Sequence, residues 1–490
     1  MGISLVTVPL VLHALGQSDF GLYNLIAGII AMLAFMNGAM TVSTQRYLSV
    51  TIGEGDKDKL LQVFNLSLLL HVAIGVLVAL LIEACMPFLF HYVLTIENSQ
   101  LGIARFLLHC MVVSMFFTII AVPFDAVLNA YENMLFFSIV GVLESILKLL
   151  VALSLPLFLC KRLAVYGLLI TFVAVMIFII KFIYCRLHYR HLYLSTMACR
   201  NRSLLEEMFS FAGWNTLSAL AVVGRVQGLA IIFNHFFGTI INAAYGIANQ
   251  VNGVMGYFSI TIQKSINPQL MQSEADKTDQ KQQLLTYTLT KFSLLVMGAL
   301  AVPLVVEMPF IFGLWLGEIP LFTIEFTRLV LLLSLLTQAS SGLMSAIQSS
   351  GRIKWYTICI SLTILSSLFI AYAFLDSNHS PVWALWGACA TEFVAVCLRC
   401  YFANRLKSVQ VGRYITASIL PNVIVMILVG AVVCLVTYIF DASQVRLVLN
   451  VGLVLIIYPL LSYLLVLNQQ ERTYLFSLLY RFKGKCLNSD

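Results

Sequence analysis

The stretch LHALGQSDFGLYN, residues 12–24, has a counterpart 222 residues further on in NHFFGTIINAAYG, residues 234–246. His13-x-x-Gly16 followed by Tyr23 matches His235-x-x-Gly238 followed by Tyr245, at the same spacing in both copies. Each copy falls between two apolar segments. The segment after each copy closes on an amide and a cation, Gln45-Arg46 in the first and Gln263-Lys264 in the second. A signature that recurs in the same order and at the same place in an apolar series marks a duplicated chain.

Outward from that stretch, apolar segments fill the sequence. Of its 490 residues 60% are hydrophobic and only 10% charged, against roughly 25% charged in a soluble domain. Such a chain cannot dress a water-facing surface, so the bilayer is its main solvent. Crossing about 30 Å of hydrocarbon takes about 20 residues of helix. Cutting the sequence at that length gives a short first segment, 3–14, and then spans over 22–43, 64–85, 106–128, 135–157 and 163–184. A second set follows over 208–233, 241–262, 292–314, 329–347, 355–375 and 382–401. Two extra spans, 415–440 and 447–467, bring the total to fourteen.

The expected fold is therefore an all-α polytopic membrane protein of two six-helix repeats plus two C-terminal helices. The reading divides the chain into an N-terminal half over 1–185, a basic linker over 186–206, a C-terminal half over 207–405, the extra helices over 414–467 and a basic tail over 468–490. Six spans separate the two copies, so the halves run parallel, as in transporters that rock one half against the other around a cavity. The first segment spans only about 20 Å as a helix, and the reading takes it as truncated. A cleaved signal peptide fits it poorly, because no basic region precedes it.

Most of the 29 Lys and Arg fall in alternate loops and in the tail, which puts those loops and both termini on the cytoplasmic side. The net charge of +7 is thus a matter of topology, and no nucleic-acid partner is expected. The cysteines are scattered singly through apolar runs, where a thiol acts as a small hydrophobe. Cys397 and Cys400 form a close pair with no second pair or nearby His, so neither a disulfide framework nor a metal site is read. No Walker loop, zinc motif or nucleophilic triad occurs. The expectation is a protein without cofactor that is not an enzyme.

Residues 12–16 and 19–24, the run NAAYGIA at 242–248, and Asn267-Pro268-Gln269 together resemble the polysaccharide flippases. These are Wzx-type members of the MOP superfamily, which also holds lipid II flippases and MATE exporters. The resemblance implies a flippase that carries a lipid-linked oligosaccharide diphosphate across a bacterial cytoplasmic membrane for O-antigen or capsule assembly. Its partners would be the polyprenyl diphosphate substrate, membrane lipids and polysaccharide assembly proteins. A MATE-like ion-coupled exporter is the alternative, and a glycan polymerase or ligase fits less well, since the outer loop around residues 91–104 has no cluster of Arg, His and carboxylates.

An ionisable group in a span costs about 2.5–3.5 kcal/mol on insertion scales, which makes each one a candidate for function. In the flippase reading Arg225, with Gln227 two residues on, faces the cavity and attracts the diphosphate. Arg46 and Lys264 stand at matching cytoplasmic helix ends, where an anionic headgroup would enter. Asn249, Gln250 and Asn252 bring amides to mid-membrane, where they bond sugar hydroxyls or join helices. Glu392 has no cation nearby on its own helix and is a candidate for ion coupling. Glu144 is a second, though Lys148 shares its face four residues on and a structural pair is the plainer reading. Asp125 and Glu132 are expected at the membrane interface.

Overall fold

The computed structural model describes residues 34–473 except 89, 91–99, 159–160, 194, 196–200, 275–278, 317–318, 378, 408 and 470, together with residues 7, 10–11, 13–16, 19–20, 22–23 and 26–27. Most of the first segment, part of the second, the outer loop over 91–99 and most of the basic tail lie outside the described residues. The described residues form helices and no strand. Ten helices are long and apolar enough to cross a membrane, and a bent pair makes an eleventh.

The chain forms two compact units. One comprises Met1–Leu220 and Met271–Lys277, the other Ala221–Leu270 and Thr278–Asp490. The first unit holds α1 (Ala34–Glu54), α2 (Lys57–Phe88), α3 (Leu101–Ala130), α4 (Met134–Ser154) and α5 (Arg162–His188). Its core gathers on α3, whose Ala104, Leu107, Leu108 and Val112 are buried with Val78 and Ile82 of α2 and Leu163 of α5. Small residues bring the backbones close, with Gly167 against Leu107 and Gly75 against Phe116. Asn133 caps α4, its side chain accepting from the Phe136 N–H.

α6 runs over Arg202–Gln272, with one non-helical residue, Gly238. Its first arm, Arg202–Gly238, contains the seventh span, whereas the second arm, 239–272, holds the expected eighth, 241–262, and is not among the ten. Gly238 has φ of +73° and Gly16, its counterpart in the first copy, φ of +81°. Both glycines of the duplicated signature thus take the left-handed backbone that a side chain resists. This turn chemistry is the physical content of the repeat.

The second unit continues with α7 (Asp279–Leu316), α8 (Thr323–Gln338), α9 (Ser341–Ser349), α10 (Lys354–Asp376) and α11 (Val382–Lys407). Then come α12 (Val411–Ile439), with a π-helical stretch over Ile415–Ile419, and α13 (Gln444–Val466). The expected tenth span, 329–347, is not one straight helix. α8 and α9 meet at a 42° bend.

A bend at membrane depth frees backbone groups that must be satisfied by protein. Tyr414 donates to Ala339 O at 2.6 Å, and Thr290 Oγ1 accepts the Gly342 N–H at 2.9 Å while lying 2.8 Å from the Tyr414 hydroxyl. Gly342 is pressed on the backbone of α7, so that a Cβ there would overlap Thr286 O. Ser340, Ser341 and Gly342 let the chain approach α7, and apolar length alone does not reveal that.

Candidate functional site

Inside the second unit three charged side chains meet at the bend between α8 and α9. Glu392 of α11 accepts from Arg225 Nη1 of α6 at its Oε2 and from Arg399 Nη1 at its Oε1, both at 2.7 Å. Arg399 Nη1 also donates to Ser340 Oγ at 3.0 Å. All three charged side chains are more than nine-tenths buried. The cluster therefore carries one positive charge in excess, and the Nε–H of neither arginine has an acceptor among the described residues.

Glu392 does have a cation on its own helix, contrary to the sequence reading. Arg399 lies seven residues on, two turns along the same face, beyond a search confined to one turn. Removing one member of such a buried set costs about 3–5 kcal/mol, because the partner is left charged and unpaired. Arg225 is thus held by Glu392 and joins α6 to α11.

The other sequence candidates fall in diverse settings. Arg46 is buried, its guanidinium 4.7 Å from the Tyr47 ring centre and 4.9 Å from that of Phe211, while Tyr47 donates to Glu207 at 3.1 Å. Lys264 is exposed on the second arm of α6, so the two copies of the amide–cation motif differ in surroundings. Gln227 and Gln250 are exposed, and Asn249 is half-buried, donating back to Tyr245 O at 2.9 Å. Asn252 accepts a hydrogen bond from Ser334 of α8, which favours its role as a joint between helices. Asp125 pairs with Lys181 at 2.8 Å, joining α3 to α5.

Glu144 and Lys148 do pair, at 2.6 Å, with 39% and 46% of their side chains exposed. An exposed pair of this kind contributes about 0–1 kcal/mol, far below the cost of breaking the Glu392 cluster. Of the two ion-coupling candidates, Glu392 is therefore locked and Glu144 is free to exchange.

Sequence reading overlooks two further buried sets. Glu307 of α7 is clasped by Arg446 of α13 through Nε at 3.0 Å and Nη2 at 2.8 Å, and Asn450 donates to the same carboxylate. At the other end of α7, Lys291 pairs with Glu471 at 2.9 Å. Glu307 and Lys291 lie in apolar runs, and the cost of burying a charge there is the signal that finds them. In the first unit a cleft of about 370 Å³ is lined by His71, Ser43, Thr44 and Thr216 among apolar side chains. His71 Nδ1 lies 2.7 Å from Ser67 O, and its buried Nε2 has no partner among the described residues.

The MatE family model matches residues 1–154. A solved MATE structure in the bent conformation aligns with a TM-score of 0.73 at 15% identity, covering 83% of this chain and 91% of its own. The fold is that of the MATE transporters. A multidrug resistance MATE family transporter of the MOP superfamily, solved outward-facing, gives 0.70 at 15% identity, with 83% and 92% covered. A MOP superfamily transporter from Pyrococcus furiosus, described as having a binding pocket of reverse polarity, gives 0.69 at 13%, with 84% and 92% covered. No curated protein matches the sequence.

On the MATE fold the apolar helices make this a multi-pass membrane protein, as the sequence leads one to expect. Two of these solved proteins are described as transporters.

Proposed function

We propose that the protein is a flippase that moves a lipid-linked oligosaccharide diphosphate across the cytoplasmic membrane by alternating access, for envelope polysaccharide assembly. The observation that carries this reading is the sign of the buried charge. Among the described residues the buried carboxylates are Glu307 and Glu392, and arginine holds both. Neither is open to a cationic cargo. The buried Lys and Arg among the described residues are Arg46, Arg225, Lys291, Arg399 and Arg446, and the Glu392 cluster keeps one positive charge over. An interior of that polarity suits an anionic headgroup, since charge in a low-dielectric space favours the opposite sign. The resemblance of residues 12–24 and 242–248 to polysaccharide flippases supplies the lipid-linked sugar.

A second reading, an ion-coupled small-molecule exporter, draws on the multidrug transporters that share the fold. One experiment separates the two. Deleting the gene and assaying lipid-linked intermediates should show oligosaccharide diphosphate accumulating in the cytoplasmic leaflet. Normal export of that intermediate, together with lost efflux of cationic dyes, would overturn the flippase reading in favour of the exporter.

A further inference from the structure

α4 presents two unlike faces. Leu135, Ile139, Val142, Ile146, Leu150 and Leu153 are all exposed and recur at helical spacing down one side. At 100° per residue they form a single stripe, the face turned to lipid. Glu144 and Lys148 lie on the opposite side, near the midpoint of the Met134–Leu157 span, beside the packed Val140, Leu147 and Val151. Yet they are not covered, for 39% of the Glu144 and 46% of the Lys148 side chain is exposed. Gly141, one turn before Glu144, has open space where a Cβ would stand. Charged groups exposed at mid-membrane away from the lipid face call for water beside them.

We propose that Lys148 is an exchangeable cation on a wet wall of the first unit, where it takes a diphosphate oxygen of the cargo in place of Glu144. This rests on the flippase reading above. A lysine ammonium is a point charge with three donors on a flexible stem, so it turns from a carboxylate to a phosphate without a fixed geometry. The Glu144 pair lies within one helix and is open to water, so it can be broken without opening the fold. An incoming diphosphate carries more charge than the single carboxylate and displaces it. Glu144 meanwhile keeps the ammonium neutralised in the empty protein. The arginines at Glu392 cannot exchange partners in this way, being committed to a buried carboxylate, and act on the cargo only through their excess charge.

The two partners of this pair should then act in opposite directions. The full chain in lipid nanodiscs is titrated with farnesyl diphosphate and, separately, with inorganic pyrophosphate. Lys148→Ala should weaken farnesyl diphosphate binding about tenfold, Lys148→Arg should retain it, and Glu144→Gln should tighten it severalfold by removing the competitor. Tighter binding of farnesyl diphosphate than of pyrophosphate identifies a lipid-borne headgroup as the source, and equal binding identifies free diphosphate and overturns the lipid-linked cargo. Unchanged binding in Lys148→Ala, or equal weakening in Lys148→Ala and Glu144→Gln, would reduce the pair to a structural one while leaving the flippase reading intact. If the unsubstituted protein binds neither probe, the flippase reading fails and takes this site with it.

Discussion

Glu392 accepts one hydrogen bond from each of two guanidinium groups, so its substitution releases two buried charges at once. Glu392→Ala should lower stability by about 3–5 kcal/mol, seen as an earlier thermal unfolding midpoint in detergent and reduced membrane abundance. Replacing Arg225, Glu392 and Arg399 together by apolar residues of similar size should recover most of that loss, because the desolvation cost goes with the charges. An unfolding midpoint unmoved by Glu392→Ala would show that water reaches the cluster. Arg225 and Glu392 can be recognised in the sequence, since each is an ionisable group in a span. Their meeting cannot, because 167 residues separate them and nothing local in either helix specifies the other. Arg399 is the instructive middle case, legible once the periodicity of α11 is followed for two turns.

At the scale of elements, apolar length locates the helices and backbone chemistry decides where they break. The cut at about 20 residues finds the ten long helices and the extra pair, since burial of backbone hydrogen bonds in lipid leaves few alternatives to a helix. It does not find the bend between α8 and α9, where small residues and two side-chain partners, Tyr414 and Thr290, replace regular helix bonding. Gly342→Ala tests this directly. Its Cβ would meet Thr286 O, a backbone atom that cannot swing aside, so the variant should lose about 1–3 kcal/mol or more and accumulate poorly. Gly238→Ala meets open space but must hold φ near +73° and ψ near −162°, a combination essentially confined to glycine, and should cost about 1–3 kcal/mol. Both variants should therefore unfold at a lower midpoint than the parent protein, one through overlap and the other through backbone strain. An unmoved midpoint in the Gly342 variant would mean that α9 can shift away from α7 and that the close approach is not required.

For the molecule as a whole, the question is what holds the two extra helices, which lie beyond the duplicated part. Within the second unit α7 acts as their dock, with Lys291 towards one end and Glu307 about 24 Å along the helix. Lys291 reaches Glu471, and Glu307 is clasped by Arg446 and Asn450 of α13. Between these points Asn422 donates to Lys291 O at 3.2 Å, and Val425, Val429 and Val433 of α12 are buried with Val454 and Tyr458 of α13. Apolar packing between helices in lipid has little hydrophobic drive, since the tails are as apolar as the side chains. Buried charge pairs are directional where that packing is not, and they set the register of α13 on α7. Arg446→Leu should accordingly destabilise by about 3–5 kcal/mol, because Glu307 is fully buried and keeps only Asn450. Adding Glu307→Leu should restore the unfolding midpoint, since a well-packed apolar pair replaces the ionic one at little net cost. Register is then the sensitive readout. A cysteine pair placed across the α7–α13 contact should cross-link efficiently in the parent protein and in a less defined pattern in the double variant. Equal cross-linking in both would show that valine packing alone aligns the helices and that the ionic pair adds no specificity.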